Sequence, residues 1–174
     1  MSESRPLVVL IGPPGAGKTR LGKRIARVLK VSFIDTDRRI VAKHGPIAEI
    51  FAQRGEEHFR KLERAEVAQA LTERAVVSLG GGAVLNPDTQ RELLAHRVVL
   101  VTVSPEAVEA RIAGSARPLV AGGMDAWTKL VDARREIYER LASGTWDTSN
   151  RPIEAIATEI AEWVSGGATT KDAE

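Results

Sequence analysis

Cysteine is absent from the 174-residue chain, which excludes disulfides and thiolate metal sites and suits a reducing compartment. Long apolar runs are missing as well. In the opening stretch MSESRPLVVLIGPPG the uninterrupted apolar run is only Leu7 to Ile11, too short for a signal-peptide core or a membrane span. A cytoplasmic protein with no membrane partner is expected. Charge of one sign is not in excess either. With 25 basic residues against 23 acidic ones, a net charge of +2 is too small to argue for a nucleic-acid partner. His44, His58 and His96 have no carboxylate or second histidine at metal-ligand spacing, so surface or helper roles are expected of them.

What is present is globular. A hydrophobic share of 43% and a charged share of 28% argue against disorder, and the length fits one domain with its own core and no second one. That domain is expected over residues 1–165, followed by a disordered tail, GGATTKDAE, at 166–174.

Apolar periodicity places the elements. Leu7–Ile11 reads as a buried parallel strand, and from Lys18 onward Leu21, Ile25, Val28 and Leu29 recur at helical spacing. Val31–Ile34, Ala75–Gly82 and Arg97–Val103 read as further strands, and GTWDT as a short fifth. Helices are expected around Ile47–Phe51, from Gly55 through Leu71, over Glu106–Ile112 and Asp125–Leu141, and along Ile153, Ile156, Ile160 and Val164. Strands alternating with helices imply crossover connections and a parallel sheet covered on both faces. Ligands of such sheets bind beyond the carboxyl ends of the strands, where three features fall together: the glycine loop, Asp35 with Asp37, and Gly80–Gly82.

GPPGAGKT, Gly12 to Thr19, fits G-x-x-x-x-G-K-[ST] at every fixed position. Its glycines let successive N–H groups turn inward around phosphate oxygens, and the following helix adds its positive end. Pro13 and Pro14 carry no N–H, so the cradle must come from Gly15, Ala16, Gly17, Lys18 and Thr19. Lys18 can reach the β- and γ-phosphates, and the Thr19 hydroxyl can coordinate Mg²⁺. A dinucleotide fingerprint fails, because Lys18, Thr19 and Arg20 occupy the place of its third glycine.

Several charges sit where apolar residues would be expected. In VSFIDTD, strand alternation would point Asp35 and Asp37 the same way, as metal ligands, a catalytic pair or a polar strand end. Arg134 interrupts the stripe Trp127, Leu130, Val131, Tyr138 and Leu141, either snorkelling past the core or entering a cleft. Glu63 shares a helix face with Phe59 and Val67, three residues after Arg60, which makes the two an internal ion pair or an ordinary surface pair. Arg117, between glycines and Pro118, suits either a phosphate-closing lid or a plain surface loop.

In this order, GPPGAGKT, FIDTD, IFAQRGEEHFRKLE, SLGGGAV, ARPLVAG and the arginine of DARREIY resemble the shikimate kinase family from Gly12 to Tyr138. The resemblance implies a three-layer α/β/α sandwich with five parallel strands, the fold of nucleoside monophosphate kinases. It also implies ATP with Mg²⁺ as donor and the 3-hydroxyl of shikimate as acceptor. On that basis Asp37, Arg60, Gly80, Gly81, Gly82 and Arg134 are expected substrate contacts, Phe51, Phe59 and Pro118 apolar walls, and Glu63 the carboxylate that holds the substrate arginine. On the donor side it implies the Gly15–Thr19 cradle with neighbouring Arg20, Thr19 and Asp35 toward the metal, Arg117 as lid arginine within 112–124, and Arg111 and Arg151 beside the nucleotide. Lys18, Asp37 and Arg117 would carry the chemistry in an expected monomer. Rival readings are another small-acceptor kinase, for gluconate or a nucleoside monophosphate, and a non-catalytic sensor that binds a related carboxylate.

Overall fold

A computed structural model describes residues 4–113 and 122–166. Five strands form one parallel sheet: β1 (Val8–Ile11), β2 (Ser32–Asp35), β3 (Ala75–Ser78), β4 (Val98–Thr102) and β5 (Gly144–Asp147), in the order β2-β3-β1-β4-β5. β1 lies at the centre, with Val8 opposite Val76 on one side and Val9 opposite Val98 on the other. Around the sheet run α1 (Lys18–Leu29), α2 (Thr36–His44), α3 (Ile47–Arg54), α4 (Glu56–Ala70), α5 (Pro87–Leu93), α6 (Pro105–Ala113), α7 (Gly123–Leu141) and α8 (Ile153–Val164). Among the described residues, no helix is long and apolar enough to cross a membrane.

Alternation along β1 divides the core into two layers. Val8 and Leu10 pack with Leu21 and Ile25 of α1 and Ile156 and Ile160 of α8, while Val9 and Ile11 pack with Val67 of α4, Leu93 of α5 and Tyr138 and Leu141 of α7. Each fully buried Leu or Ile contributes roughly 1.5–3 kcal/mol relative to an exposed one. These layers make the sandwich, and β1 is clamped from both faces. The stem of the phosphate loop is therefore among the most rigid parts of the chain. A smaller cluster, Ile40, Ile50 and Phe59, fastens α2, α3 and α4 together at one side. α7 belongs to both main layers, with Trp127 in the first and Tyr138 and Leu141 in the second.

β1 must end in glycine. Gly12 has φ 147°, and a Cβ there would lie 2.2 Å from the Val101 carbonyl oxygen of the neighbouring strand. The chain can then leave the sheet and form its loop directly against β4.

Three expectations are corrected. The apolar run before Asp37 does not continue as a strand: β2 ends at Asp35, which caps α2 by accepting from the Arg38 N–H at 3.1 Å. Asp37 lies in the first turn of that helix, so strand alternation does not govern its direction. α2 escapes the periodicity because only Thr36 and Ile40 of TDRRIVAKH are buried. The strand expected over Ala75–Gly82 stops at Ser78, which leaves Gly80–Gly82 as loop. α5 is the third, an additional helix whose start is signalled by Asn86 accepting from the Asp88 N–H at 2.8 Å, with Pro87 at the first helical position.

Candidate active site

An open cleft of about 420 Å³ lies beyond the carboxyl ends of β1, β2 and β3, lined by Lys18, Thr19, Arg20, Asp35, Asp37 and Gly80 among others. Its floor is the loop between β1 and α1. Gly17, in the left-handed conformation, turns the chain into α1 so that Lys18 and Thr19 open the helix. Lys18 Nζ curls back over the loop and donates to the carbonyls of Gly12 at 2.7 Å and Pro13 at 3.0 Å. Burial brings the Lys18 ammonium down to about 8, against the opposing pull of Asp37 and Asp35. At neutral pH it remains mostly charged.

The loop is held from outside by two groups that the sequence did not single out, Trp127 and Thr148, and by Arg111, expected beside the nucleotide. Trp127 Nε1 donates to the Pro14 carbonyl at 2.8 Å, and the Thr148 hydroxyl donates to that of Ala16 at 2.7 Å. Arg111 donates to the Gly15 carbonyl at 2.7 Å and to the Thr148 carbonyl at 2.7 Å, joining the end of α6 to the loop and to the segment after β5. The carbonyls of Pro14, Gly15 and Ala16 are thus all engaged by side chains from α6, α7 and the segment after β5, while within the loop the Ala16 N–H donates to the Pro13 carbonyl at 3.3 Å.

The two aspartates have different surroundings. Asp35 Oδ2 accepts the Thr19 hydroxyl at 2.9 Å, while its other oxygen caps α2. Among the described residues no three acidic or histidine side chains gather as a protein-only metal cage. One hydroxyl backed by one carboxylate nevertheless fits Mg²⁺, which keeps several waters and takes phosphate oxygens for its remaining ligands. Asp37 Oδ1, by contrast, is buried without a hydrogen-bond partner among the described residues. Burial pushes its carboxyl up to about 6, with the charges of Asp35 and Glu63 adding to the shift. A buried acceptor left unpaired is costly, and a ligand hydroxyl would satisfy it.

Gly80–Gly82 form the wall opposite, and each glycine accommodates one charged head. A Cβ on Gly80 would lie 2.5 Å from Asp37 Oδ1, one on Gly82 2.5 Å from Arg60 Nη1, and one on Gly81 3.3 Å from Arg134 Nη1. The arginine in the stripe of α7 therefore reaches the glycine wall. Arg60 and Glu63 form an internal pair at 2.8 Å, with Glu63 only 4% exposed. Burial raises the Glu63 carboxyl above its ordinary range, while Arg60 and Arg134 pull it back. Tyr138 donates its hydroxyl to the Gly81 carbonyl at 2.9 Å.

Phe51 and Phe59 stack with ring centroids 4.9 Å apart, Phe59 buried and Phe51 exposed, and the Arg60 guanidinium lies 5.4 Å from the centre of the Phe59 ring. Arg151 is on the surface, paired with Glu159 at 2.5 Å. Arg117 and Pro118 fall outside the described residues, as do most of the expected lid and tail. Trp127, Tyr138 and Thr148 were missed because an aromatic at helical spacing reads as core and an isolated threonine carries no signal.

A phosphate loop at the head of a central parallel strand, with an unpaired carboxylate and two guanidinium groups facing it, defines a phosphotransferase for a small anionic acceptor. The comparisons narrow this class. The family model described as Shikimate kinase matches residues 14–165. A shikimate kinase of Salinispora tropica is 47% identical over 160 residues, covering 90% of this chain and 96% of its own. Among solved structures, the shikimate kinase of Acinetobacter baumannii in complex with shikimate superposes with a TM-score of 0.84 at 26% identity, covering 97% of each chain. A gluconokinase of Sinorhizobium meliloti, at a TM-score of 0.64 and 18% identity over 91% of each chain, shares the fold. This chain belongs to the shikimate kinase family.

Proposed function

We propose that the cleft transfers the γ-phosphoryl group of ATP to the 3-hydroxyl of shikimate, giving shikimate 3-phosphate and ADP, with the residue roles that follow. The observation that carries these roles is the glycine wall, along which one unpaired carboxylate and two guanidinium groups sit side by side. Arg60 and Arg134 are planar forks suited to the acceptor's carboxylate, and Asp37 accepts from its hydroxyl. That hydroxyl stands toward Lys18 and the phosphate loop. An acceptor without a carboxylate offers neither guanidinium group an anion from the ligand side.

The Gly15–Thr19 amides cradle the phosphates of ATP, and Lys18 neutralises the charge that builds on the transferring group. Thr19, backed by Asp35, is the protein's hold on Mg²⁺. When bound, Mg²⁺ would offset the negative charge of the phosphates. Asp37 orients the 3-hydroxyl in line with the γ-phosphorus and receives its proton as the new O–P bond forms and the bond to the β,γ-bridging oxygen breaks. Arg111 acts through the Gly15 carbonyl on the loop that carries the nucleotide. On this reading residues 1–165 are one kinase domain, cytoplasmic and monomeric, with 112–124 closing as a lid that brings Arg117 and Pro118 to the ligands.

The test is ADP release from MgATP with shikimate, gluconate and nucleoside monophosphates offered in parallel, with and without EDTA. Turnover with shikimate alone, lost with EDTA and in Lys18→Ala, is expected. Turnover with another acceptor and none with shikimate overturns the proposal.

A further inference from the structure

Tyr138 is almost completely buried, at 2% exposed, and its hydroxyl donates to the carbonyl of Gly81, the middle residue of the glycine wall. Arg134 precedes it by one helical turn on the same helix, α7. The α-carbon of Gly81 is wedged between two halves of the site. A methyl placed there would lie 3.3 Å from Arg134 Nη1, 3.3 Å from Pro14 Cδ of the phosphate loop and 3.6 Å from the Gly12 carbonyl oxygen. One hydroxyl thus holds the glycine that lies between Arg134 and the phosphate loop.

We propose that Tyr138 is a positioning residue for the acceptor: it fixes the Gly81 peptide, beside which the Arg134 guanidinium rests, so that the wall and the arginine keep their places around the acceptor's carboxylate. This rests on the acceptor assignment made above. The Gly81 carbonyl is held outward by Tyr138, so the glycine wall cannot rotate its peptides into the space that the carboxylate needs. Arg134, on a long flexible side chain, has one fewer direction in which to swing. A tyrosine here only to fill the core would need nothing but its ring, which Phe also supplies. The hydroxyl is what differs.

Tyr138→Phe removes that hydroxyl and leaves the packing in place. Wild-type enzyme that releases ADP with shikimate secures the underlying reading, and its failure to do so removes that reading together with the acceptor role of Tyr138. With wild type active, the expected result in Y138F is a rise of about tenfold in KM for shikimate, the loss of one hydrogen bond to a charged or polar partner. KM for ATP should stay within about twofold and kcat within about threefold, the signature of lost ground-state positioning on one substrate only. A thermal melt of the same variant separates this from general loosening. An unchanged KM for shikimate, or a parallel rise of both KM values with a lowered Tm, overturns the proposal.

Discussion

Arg60 donates to Glu63 at 2.8 Å, and the two ends of this bond live in different media: the arginine side chain is 30% exposed and the glutamate 5%. Removing either partner therefore has unequal consequences. Without Glu63, Arg60 can turn to water. Without Arg60, Glu63 keeps only the more distant Arg134 as a counter-charge. Arg60→Ala should destabilise the protein by about 1–3 kcal/mol more than Glu63→Ala, as a buried charge losing its partner costs more than an exposed one. Denaturant melts of both variants at neutral pH provide the check. Equal losses would mean that the pair is an ordinary surface contact.

Asp37 lends itself to a pH argument. Its folded value of about 6 stands above the 3.8 of an ordinary aspartate, because burial and two neighbouring carboxylates disfavour its charge. A raised folded pKa means that the folded state holds this proton more tightly than the unfolded chain. Its contribution to stability is present below about 4 and is lost as pH rises to about 6. At pH 7 the ionised carboxylate is a burden on the ligand-free enzyme. Asp37→Asn should abolish most turnover and yet raise the melting temperature at pH 7, by on the order of 1–2 kcal/mol of stability after allowing for solvent contact. In the wild type, kcat/KM for shikimate should climb with pH through about 6. A D37N protein that turns over normally, or melts lower at pH 7, contradicts this account.

The three glycines should not be equivalent. Gly80→Ala and Gly82→Ala place a methyl 2.5 Å from Asp37 Oδ1 and Arg60 Nη1, whereas Gly81→Ala meets its neighbours at 3.3 Å. At positions 80 and 82 the crowded atoms are ends of side chains, which can move aside without unfolding anything. The expected pattern is near-native melting temperatures for all three variants, with shikimate KM raised at least about tenfold for positions 80 and 82 and less for 81. Loss of folding in the first two, or a reversed order, would show that the wall supports the sheet instead of the ligand.

The local parts of this architecture were legible in the order of residues because they depend on local chemistry. Glycines, a lysine and a threonine at fixed spacing can form a phosphate loop whatever surrounds them, β1 followed from a short continuous apolar run, and α1 from an apolar period of 3.6. The family resemblance, carried by short motifs in order, extended the reading to the acceptor. Strand alternation misled at Asp37, where the chain turns into helix after Asp35. Local pattern cannot say where a strand ends when the capping side chain is itself an aspartate.

By itself, then, the sequence determined the parallel α/β class, the phosphate loop and the set of charges available for catalysis. The tertiary structure decided which of those charges face one another: that Arg60 and Glu63 pair inside, that Arg134 reaches the glycine wall, and that Asp37 keeps an oxygen without a partner among the described residues. It also recruited Trp127, Thr148 and Tyr138, whose hydrogen bonds span 113, 132 and 57 positions of the chain. The physical reason is common to all of them. Burial and pairing depend on what packs against a residue, and those partners come from distant elements that only the folded sheet brings together.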